Sequence, residues 1–377
     1  MDFSYTQEQK MLQESVQKFI QKSYDFETRN KIMASERGYS EENWQLFAEL
    51  GWLTVAFSEA DGGFGASAVD LILMMDEFGK AMLVEPFVPT TVLGGGLISA
   101  LGSVEQKAEF IPKIMAGGLQ LACAYAEANS RYNLSSVATT ARVNGDSVTI
   151  DGLKIAVLNG SNASKLLVVA RESGARTDRE GISVFMVDAD APGVSIQAYT
   201  NIDGKMSAQV SFEAVEVAVA DRLGAVGGAI GALETVIDRA TVAVSAEAAG
   251  ALEAMLQKTV EYSKVRKQFG TAIGTFQALQ HRMVDMFIEC QLARSIVLRA
   301  AMKLDSAEDE IEKARAVSAA KSRVGKAIRR VSQEAIQIHG GIGMTDEMDV
   351  GHMFKCVTGL AMMFGNTDYH TARFAAL

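Results

Sequence analysis

Three stretches of helical periodicity, residues 232–265, 276–304 and 311–339, follow one another with short breaks in the last third of this 377-residue chain. Each is too long to serve a single small core. Each repeats its apolar residues on one face, which suits a four-helix bundle with a final helix running to the C-terminus. Helices of that length also offer surface for contacts between subunits.

Upstream the pattern changes twice. Met11, Leu12, Val16, Phe19 and Ile20 recur at helical spacing behind Thr6, a residue type that caps helices, with Glu8 and Gln9 after it. Helical spacing continues through 44–50, 69–82 and 106–115, with Gly62-Gly63 and Gly94-Gly95-Gly96 read as breaks. The runs 137–143, 147–150, 154–158, 166–171, 182–187 and 210–215 are instead short and β-branched, separated by Gly, Asn and Asp. Val143-Asn144-Gly145-Asp146-Ser147 signals a hairpin, because Asn-Gly tolerates the positive φ values of a tight turn. The expected fold is mainly α with a central β domain: a helical N-terminal domain over 1–120, a β-barrel or sandwich over 121–225 and a helical bundle over 226–377.

Composition narrows the function classes. A chain of this length with 48% hydrophobic content buries large cores and divides into two or three domains. A net charge of −10 and a pI near 5.1 argue against nucleic acid and anionic membrane surfaces as partners. The N-terminus, Met1-Asp2-Phe3-Ser4-Tyr5, shows no basic region followed by an apolar one, and no segment reaches the roughly eighteen apolar residues that span a bilayer, so a cytoplasmic location is expected. Cys123, Cys290 and Cys356 are scattered and read as thiols of a reducing compartment, and His281, His339, His352 and His370 lack ligand spacing, so no metal site is expected. The 18 methionines read as adaptable core packing, and Gly62-Gly63-Phe64-Gly65 as a turn rather than a nucleotide loop, since no strand precedes it.

Two clusters carry the functional signal. Arg266, Lys267, Gln268, Phe269 and Gly270 run into Gly274, Phe276, Gln277, Gln280, Asp285 and Met286; about 70 residues later come Gln337, Ile338, His339, Gly340, Gly341, Ile342 and Gly343. The N-terminal third adds Glu49-Leu50-Gly51, Asp61-Gly62-Gly63-Phe64-Gly65 and Glu77-Phe78-Gly79-Lys80-Ala81. Together these motifs resemble the acyl-CoA dehydrogenase family over essentially the whole chain. The stretch from Gln277 to Arg282 and the tail with Phe364, Gly365, Asp368 and His370 narrow the resemblance to small subunits of two-component enzymes of the pimeloyl-CoA and steroid side-chain kind. The resemblance implies FAD bound across two chains, a homo- or hetero-oligomer of two or four subunits, and an electron-transfer flavoprotein as acceptor. It further implies oxidation of an acyl-CoA thioester to its trans-2-enoyl form, in which a carboxylate takes the α-proton.

Within that frame Arg266 is the first cofactor candidate, since a guanidinium forks onto diphosphate oxygens, and Gln268 and Phe269 accompany it. Gln337, Gly340 and Gly341 would bring backbone close to the diphosphate and adenosine, where a side chain would obstruct. The alternatives are a helix cap at Arg266 and a plain helix stop at Gly340-Gly341. Elsewhere the chain departs from the family. A Trp-Ile-Thr strand is replaced by Ala156-Val157-Leu158, and a threonine before an acidic residue by Ala126, leaving Leu158 and Ala126 with backbone groups alone for the flavin. Tyr-Glu-Gly-Thr is replaced by Phe364-Gly365-Asn366-Thr367, which holds no carboxylate.

Glu247 is the foremost candidate base, a lone charge in Ala243-Val244-Ser245-Ala246-Glu247-Ala248-Ala249-Gly250, where burial would raise its pKa. Pairing with Arg282 or Arg294 is the structural alternative. Asp368 is a second candidate and Asp238 a weak third, while Asp349 and His370 read as surface residues. Three functional readings follow: an acyl-CoA dehydrogenase subunit, a catalytically silent subunit that completes an FAD site, and a flavin oxidase or monooxygenase on the same scaffold.

Overall fold

The computed structural model describes residues 5–65 and 67–377; the first four positions of the N-terminal segment considered above lie outside the described residues. Along the chain run helices α1 (Gln7–Ser23), α2 (Phe26–Met33), α3 (Glu41–Glu49), α4 (Ala68–Ala81), α5 (Gly96–Leu101) and α6 (Val104–Met115). Strands β1 (Leu121–Ala124), β2 (Thr140–Asn144), β3 (Ser147–Leu158), β4 (Lys165–Arg171), β5 (Ile182–Asp188), β6 (Val194–Thr200), β7 (Met206–Ala218) and β8 (Arg222–Leu223) follow. Next come α7 (Ile230–Val265), the hairpin β9 (Lys267–Gln268) and β10 (Thr271–Ala272), then α8 (Gln277–Leu304), α9 (Glu310–His339), α10 (Asp349–Met362) and α11 (Thr367–Ala376). No helix among the described residues is long and apolar enough to cross a membrane.

Contacts gather these elements into two compact units that ignore chain order. The first joins Met1–Lys31, Ser67–Leu83 and Thr241–Leu377; the second holds Ile32–Ala66 and Val84–Ala240. The first is helix packed on helix. Its opening helix starts with a reciprocal cap, in which Thr6 Oγ1 accepts from the Gln9 amide at 3.2 Å and Gln9 Oε1 from the Thr6 amide at 3.0 Å. At the start of α4 the Asp305 carboxylate accepts from the Ala68 amide at 2.8 Å, satisfying a donor that the helix itself leaves over.

The tightest packing in this unit is the crossing of α4 and α7. A Cβ added at Gly79 would lie 1.8 Å from the Glu247 carbonyl oxygen, and one added at Gly250 would lie 1.8 Å from that of Asp76. Backbone thus rests on backbone at both ends of the crossing, and only glycine permits it.

The second unit carries the sheet, in the order β6-β7-β3-β2-β4-β5-β8, with β1 pairing β4. Alternating residues of β3, β4, β5 and β7, among them Ile150, Leu166, Phe185 and Val210, form its core. The Asn-Gly turn forms as expected: Asn144 pairs with Ser147 and Gly145 sits at φ +63°. Runs 147–150 and 154–158 are one strand, β3, interrupted by register shifts between Ile150 and Gly152 and between Lys154 and Val157.

One expectation is corrected here. Gly94-Gly95-Gly96 is no break, because the chain stays helical through a π-helix, Val88–Gly95, into α5. The glycines serve close packing instead: a Cβ on Gly94 would meet the Leu121 side chain at 2.6 Å, and one on Gly95 the Phe57 ring at 2.5 Å.

Because the two crossing glycines have no room to give, Gly79→Ala and Gly250→Ala should each destabilise the chain by about 3 kcal/mol. Urea unfolding followed by far-ultraviolet circular dichroism measures this, and a loss under about 1 kcal/mol would mean that the helices can part freely.

Candidate functional site

The first unit brings the two sequence clusters together. The α7 helix is closed by the backbone of Arg266, whose amide donates to the Tyr262 carbonyl at 2.9 Å and whose carbonyl accepts from the Ile273 amide at 2.8 Å. Between these bonds β9 and β10 pair as a hairpin, leaving Arg266 and Gln268 exposed. At its tip Phe269 is held at φ +54° and is 93% exposed. One turn before Arg266, Tyr262 stacks on His339 at a ring distance of 4.4 Å, and its hydroxyl donates to the His339 carbonyl at 3.3 Å. That contact seats the hairpin beside the end of α9.

There Gly340 turns the chain at φ +67° into a short 3-10 turn, Gly340–Met344. A Cβ added at Gly340 or Gly341 would meet nothing within 4 Å, and Gln337 on the last turn of α9 is exposed. An exposed guanidinium, two side-chain amides and a bare stretch of backbone can together receive an extended anion.

In the second unit β3 is bent beside Ala126. The Ile155 amide donates to the Ala126 carbonyl at 2.9 Å, Ala156 adopts φ +50° and Asn159 φ +59°, and Leu158 is half-buried opposite Ser207. Left-handed residues other than glycine are sparse and gather where function constrains the backbone. Here they recur in three segments already marked by sequence, at Ala156, Phe269 and Phe364. Glu127, next to Ala126, is fully engaged. Its carboxylate accepts from Lys154 Nζ at 2.8 Å, from the Thr139 hydroxyl at 2.7 Å and from the Thr139 and Ala138 amides. Burial alone would raise it, yet Lys154 and these bonds hold it below the usual carboxylate range.

The carboxylates considered as bases differ sharply in setting. Glu247 is 1% exposed, inside the first unit. The arginines named as its alternative partners are engaged elsewhere: Arg282 with Glu334, and Arg294 with Asp76 at 3.7 Å and Glu253 at 4.0 Å. The charge of Glu247 acts on Lys321 of α9, itself 2% exposed, whose amine is pushed down to about 7 by burial against the pull of Glu247. Asp368 is exposed in the first turn of α11, Asp238 is buried at the start of α7 in the second unit, and Asp349 pairs with Lys258 at 2.6 Å.

His370 is not a surface residue: it is 1% exposed, packed toward α9. Sequence reading takes His370 for a surface residue and does not single out Lys321. The signal for Lys321 was present in its spacing with Val317, Val324 and Ile328, which puts it on the apolar face of α9.

Comparison with known proteins matches most of the chain to three domain models of one family. Residues 6–118 match the N-terminal domain of acyl-CoA dehydrogenases, 122–215 the middle domain and 222–376 the C-terminal domain. Acyl-CoA dehydrogenase FadE12 of Mycobacterium tuberculosis is 32% identical over 85% of this chain and 83% of its own length. This chain belongs to the acyl-CoA dehydrogenase family. Among solved structures of that fold, butyryl-CoA dehydrogenase from Megasphaera elsdenii superposes with a TM-score of 0.91 at 25% identity, covering 100% of this chain and 99% of that one. The ChsE4-ChsE5 complex from Mycobacterium tuberculosis superposes with a TM-score of 0.90 at 23% identity, covering 100% and 98%, a likeness of fold.

The setting of Lys321 makes this acyl-CoA dehydrogenase homologue pH-sensitive in a defined direction. Its folded pKa of about 7 lies below the ordinary lysine value of 10.5. Between those values the unfolded chain binds the additional proton, so this contribution to stability rises with pH across the window and is lost as pH falls toward 7. Lys321→Met should flatten that rise, as read by urea unfolding of both proteins at several pH values within the window.

Proposed function

We propose that this chain is an FAD-binding subunit of an acyl-CoA dehydrogenase assembly, which oxidises an acyl-CoA thioester to the trans-2-enoyl thioester and delivers the electrons to an electron-transfer flavoprotein. The observation that carries the reading is the junction of Tyr262 with His339, which sets an exposed Arg266 and Gln268 beside the open backbone of Gly340 and Gly341. These residues fit a diphosphate: the guanidinium and amides supply donors, and the glycines leave room for close approach. The flavin would supply the hydride acceptor for the β-hydrogen.

The chain's own part is to hold that group. Phe269, exposed at the hairpin tip, offers an apolar ring to whatever covers it. On the second unit, Ala126 and Leu158 have only backbone groups to offer a flavin, since neither side chain donates a hydrogen bond.

For the α-proton the reading assigns Glu247 before Asp368. Glu247 is buried inside the first unit, whereas Asp368 is exposed to solvent in the first turn of α11. The burial of Glu247 beside Lys321 also favours a second reading, in which this subunit completes the cofactor site and another chain takes the proton. An oxidase or monooxygenase on the same scaffold is the third.

Anaerobic titration of the purified chain with straight, branched and dicarboxylic acyl-CoA thioesters, following oxidised-flavin absorbance, separates these readings. Bleaching that Glu247→Gln lowers by about 100-fold or more supports the base assignment. Bleaching unaffected by that change moves the proton acceptor elsewhere, and flavin that stays oxidised until a partner subunit is added supports the second reading. Reduced flavin that reacts rapidly with oxygen favours the third. Arg266→Ala should weaken retention of FAD by about tenfold in equilibrium dialysis without altering the fold, the scale expected for a charge-assisted bidentate contact.

A further inference from the structure

The connection between α10 and α11 is gripped by α9 at successive points. Lys321 Nζ donates to the Leu360 carbonyl near the end of α10. Ser322 and Thr371 share a hydroxyl hydrogen bond of 2.8 Å, and Thr367 Oγ1 stands 2.1 Å from where a Cβ on Gly325 would be. At the centre is His370. Its Nε2 lies 3.1 Å from the Phe364 carbonyl oxygen and its Nδ1 lies 3.4 Å from Ser318 Oγ.

A carbonyl only accepts, so the proton belongs on Nε2, and Nδ1 is left to accept from the serine hydroxyl. The turn so held is strained, with Phe364 at φ +58° and Gly365 at φ +123°. A Cβ at Gly365 would lie 2.5 Å from His370 Nε2 and 2.5 Å from Tyr369 Cδ1. Both the backbone angle and the imidazole therefore exclude a side chain from position 365.

We propose that His370 is a positioning residue: wedged as a neutral imidazole against Gly365, it fixes the 363–366 turn in a form that carries no side chain at 365. The acceptor for the thioester α-proton accordingly lies outside this turn. The second statement rests on the dehydrogenase reading given above; the first does not. The charged groups facing the ring are Lys321 and Arg373, both cations, and burial together with Lys321 pushes His370 down to about 3. An imidazolium would place a proton on Nδ1 toward Ser318 and a third positive charge among these two, so the neutral form is the one the surroundings hold.

Nitrogen NMR of the histidine-labelled protein reads this directly. His370 should show the neutral tautomer with hydrogen on Nε2 down to about pH 5, well below the ordinary histidine pKa near 6.5. An imidazolium signal for His370 by about pH 6 would overturn the proposal.

A double-mutant cycle tests the wedge independently of activity. The fall in melting temperature caused by Gly365→Ala should be smaller in a His370→Ala background, the residual fall reflecting φ and Tyr369; equal falls in both backgrounds would overturn it. If thioesters bleach the wild-type flavin, His370→Leu should slow bleaching about tenfold, with thioester affinity changed by less than about twofold, and His370→Gln, which keeps a donor, should recover most of the rate. Loss of rate by the two variants in step with their melting temperatures would reduce His370 to a packing residue. If no thioester bleaches the flavin, the dehydrogenase reading fails while the NMR and the cycle still decide the wedge.

Discussion

The first unit depends on the contact between α4 and α7, in which two helical backbones touch without side chains between them. Such an approach commits neighbouring positions to burial whatever their polarity. Asp76, Glu77 and Glu247 lie beside the two glycines, and all three are buried. Glu77 accepts from Gln13 and Gln17 of α1 and from Lys80, each within 2.8 Å, and Asp76 is faced by Lys80 and Arg294. Burial raises Asp76 even so, with the two cations acting against it. Removing either member of such a set would leave a charge in a poor medium, which typically costs about 3–5 kcal/mol. The contact therefore explains why α1 and α4, early in the chain, belong with the helices of its last third.

A second dependence runs through α9, which packs against α8, α10 and α11 and ends at the Gly340 turn. Its buried face is apolar apart from a few polar side chains, Ser318, Lys321, Ser332 and Glu334 among them. Three of them reach different neighbours: Ser318 the ring of His370, Lys321 the end of α10, and Glu334 Arg282 of α8. One helix thus fixes the cofactor-suited end at Gly340 and the strained turn at Phe364. Buried polar contacts of this kind specify one arrangement among the several that an all-apolar interface would accept.

Much of this was legible in the chain itself, for identifiable reasons. The long helices were readable because 3.6-residue periodicity accumulates over many turns, and 311–339 differs from α9, Glu310–His339, by one residue. The Asn-Gly turn was readable because its chemistry is local. Strand β6 was not, since it is an edge strand with mostly exposed residues and shows no clean alternation, and β1 is four residues buried on both faces. Gly94-Gly95-Gly96 misled because glycine serves both turns and close packing, and only the positions of Leu121 and Phe57 distinguish the two uses. His370 misled similarly: a polar residue in a short terminal helix reads as exposed until α9 is known to lie against it. The meeting of Tyr262 with His339 required the fold, though the clusters that flank it stood out in sequence.

The two halves of the proposed chemistry are unequally built in this subunit. Holding an anionic cofactor calls for exposed donors and bare backbone on a rigid base, and Arg266, Gln268, Gly340 and Gly341 have that setting, with the Tyr262 and His339 rings as the base. Taking a proton from carbon calls for a carboxylate that is partly desolvated yet reachable. Asp368 is reachable but solvated, whereas Glu247 is desolvated but enclosed. The turn at Gly365 is sterically barred from offering a third carboxylate. The second proposed reading, in which another chain takes the proton, would remove from this one the demand that neither carboxylate meets.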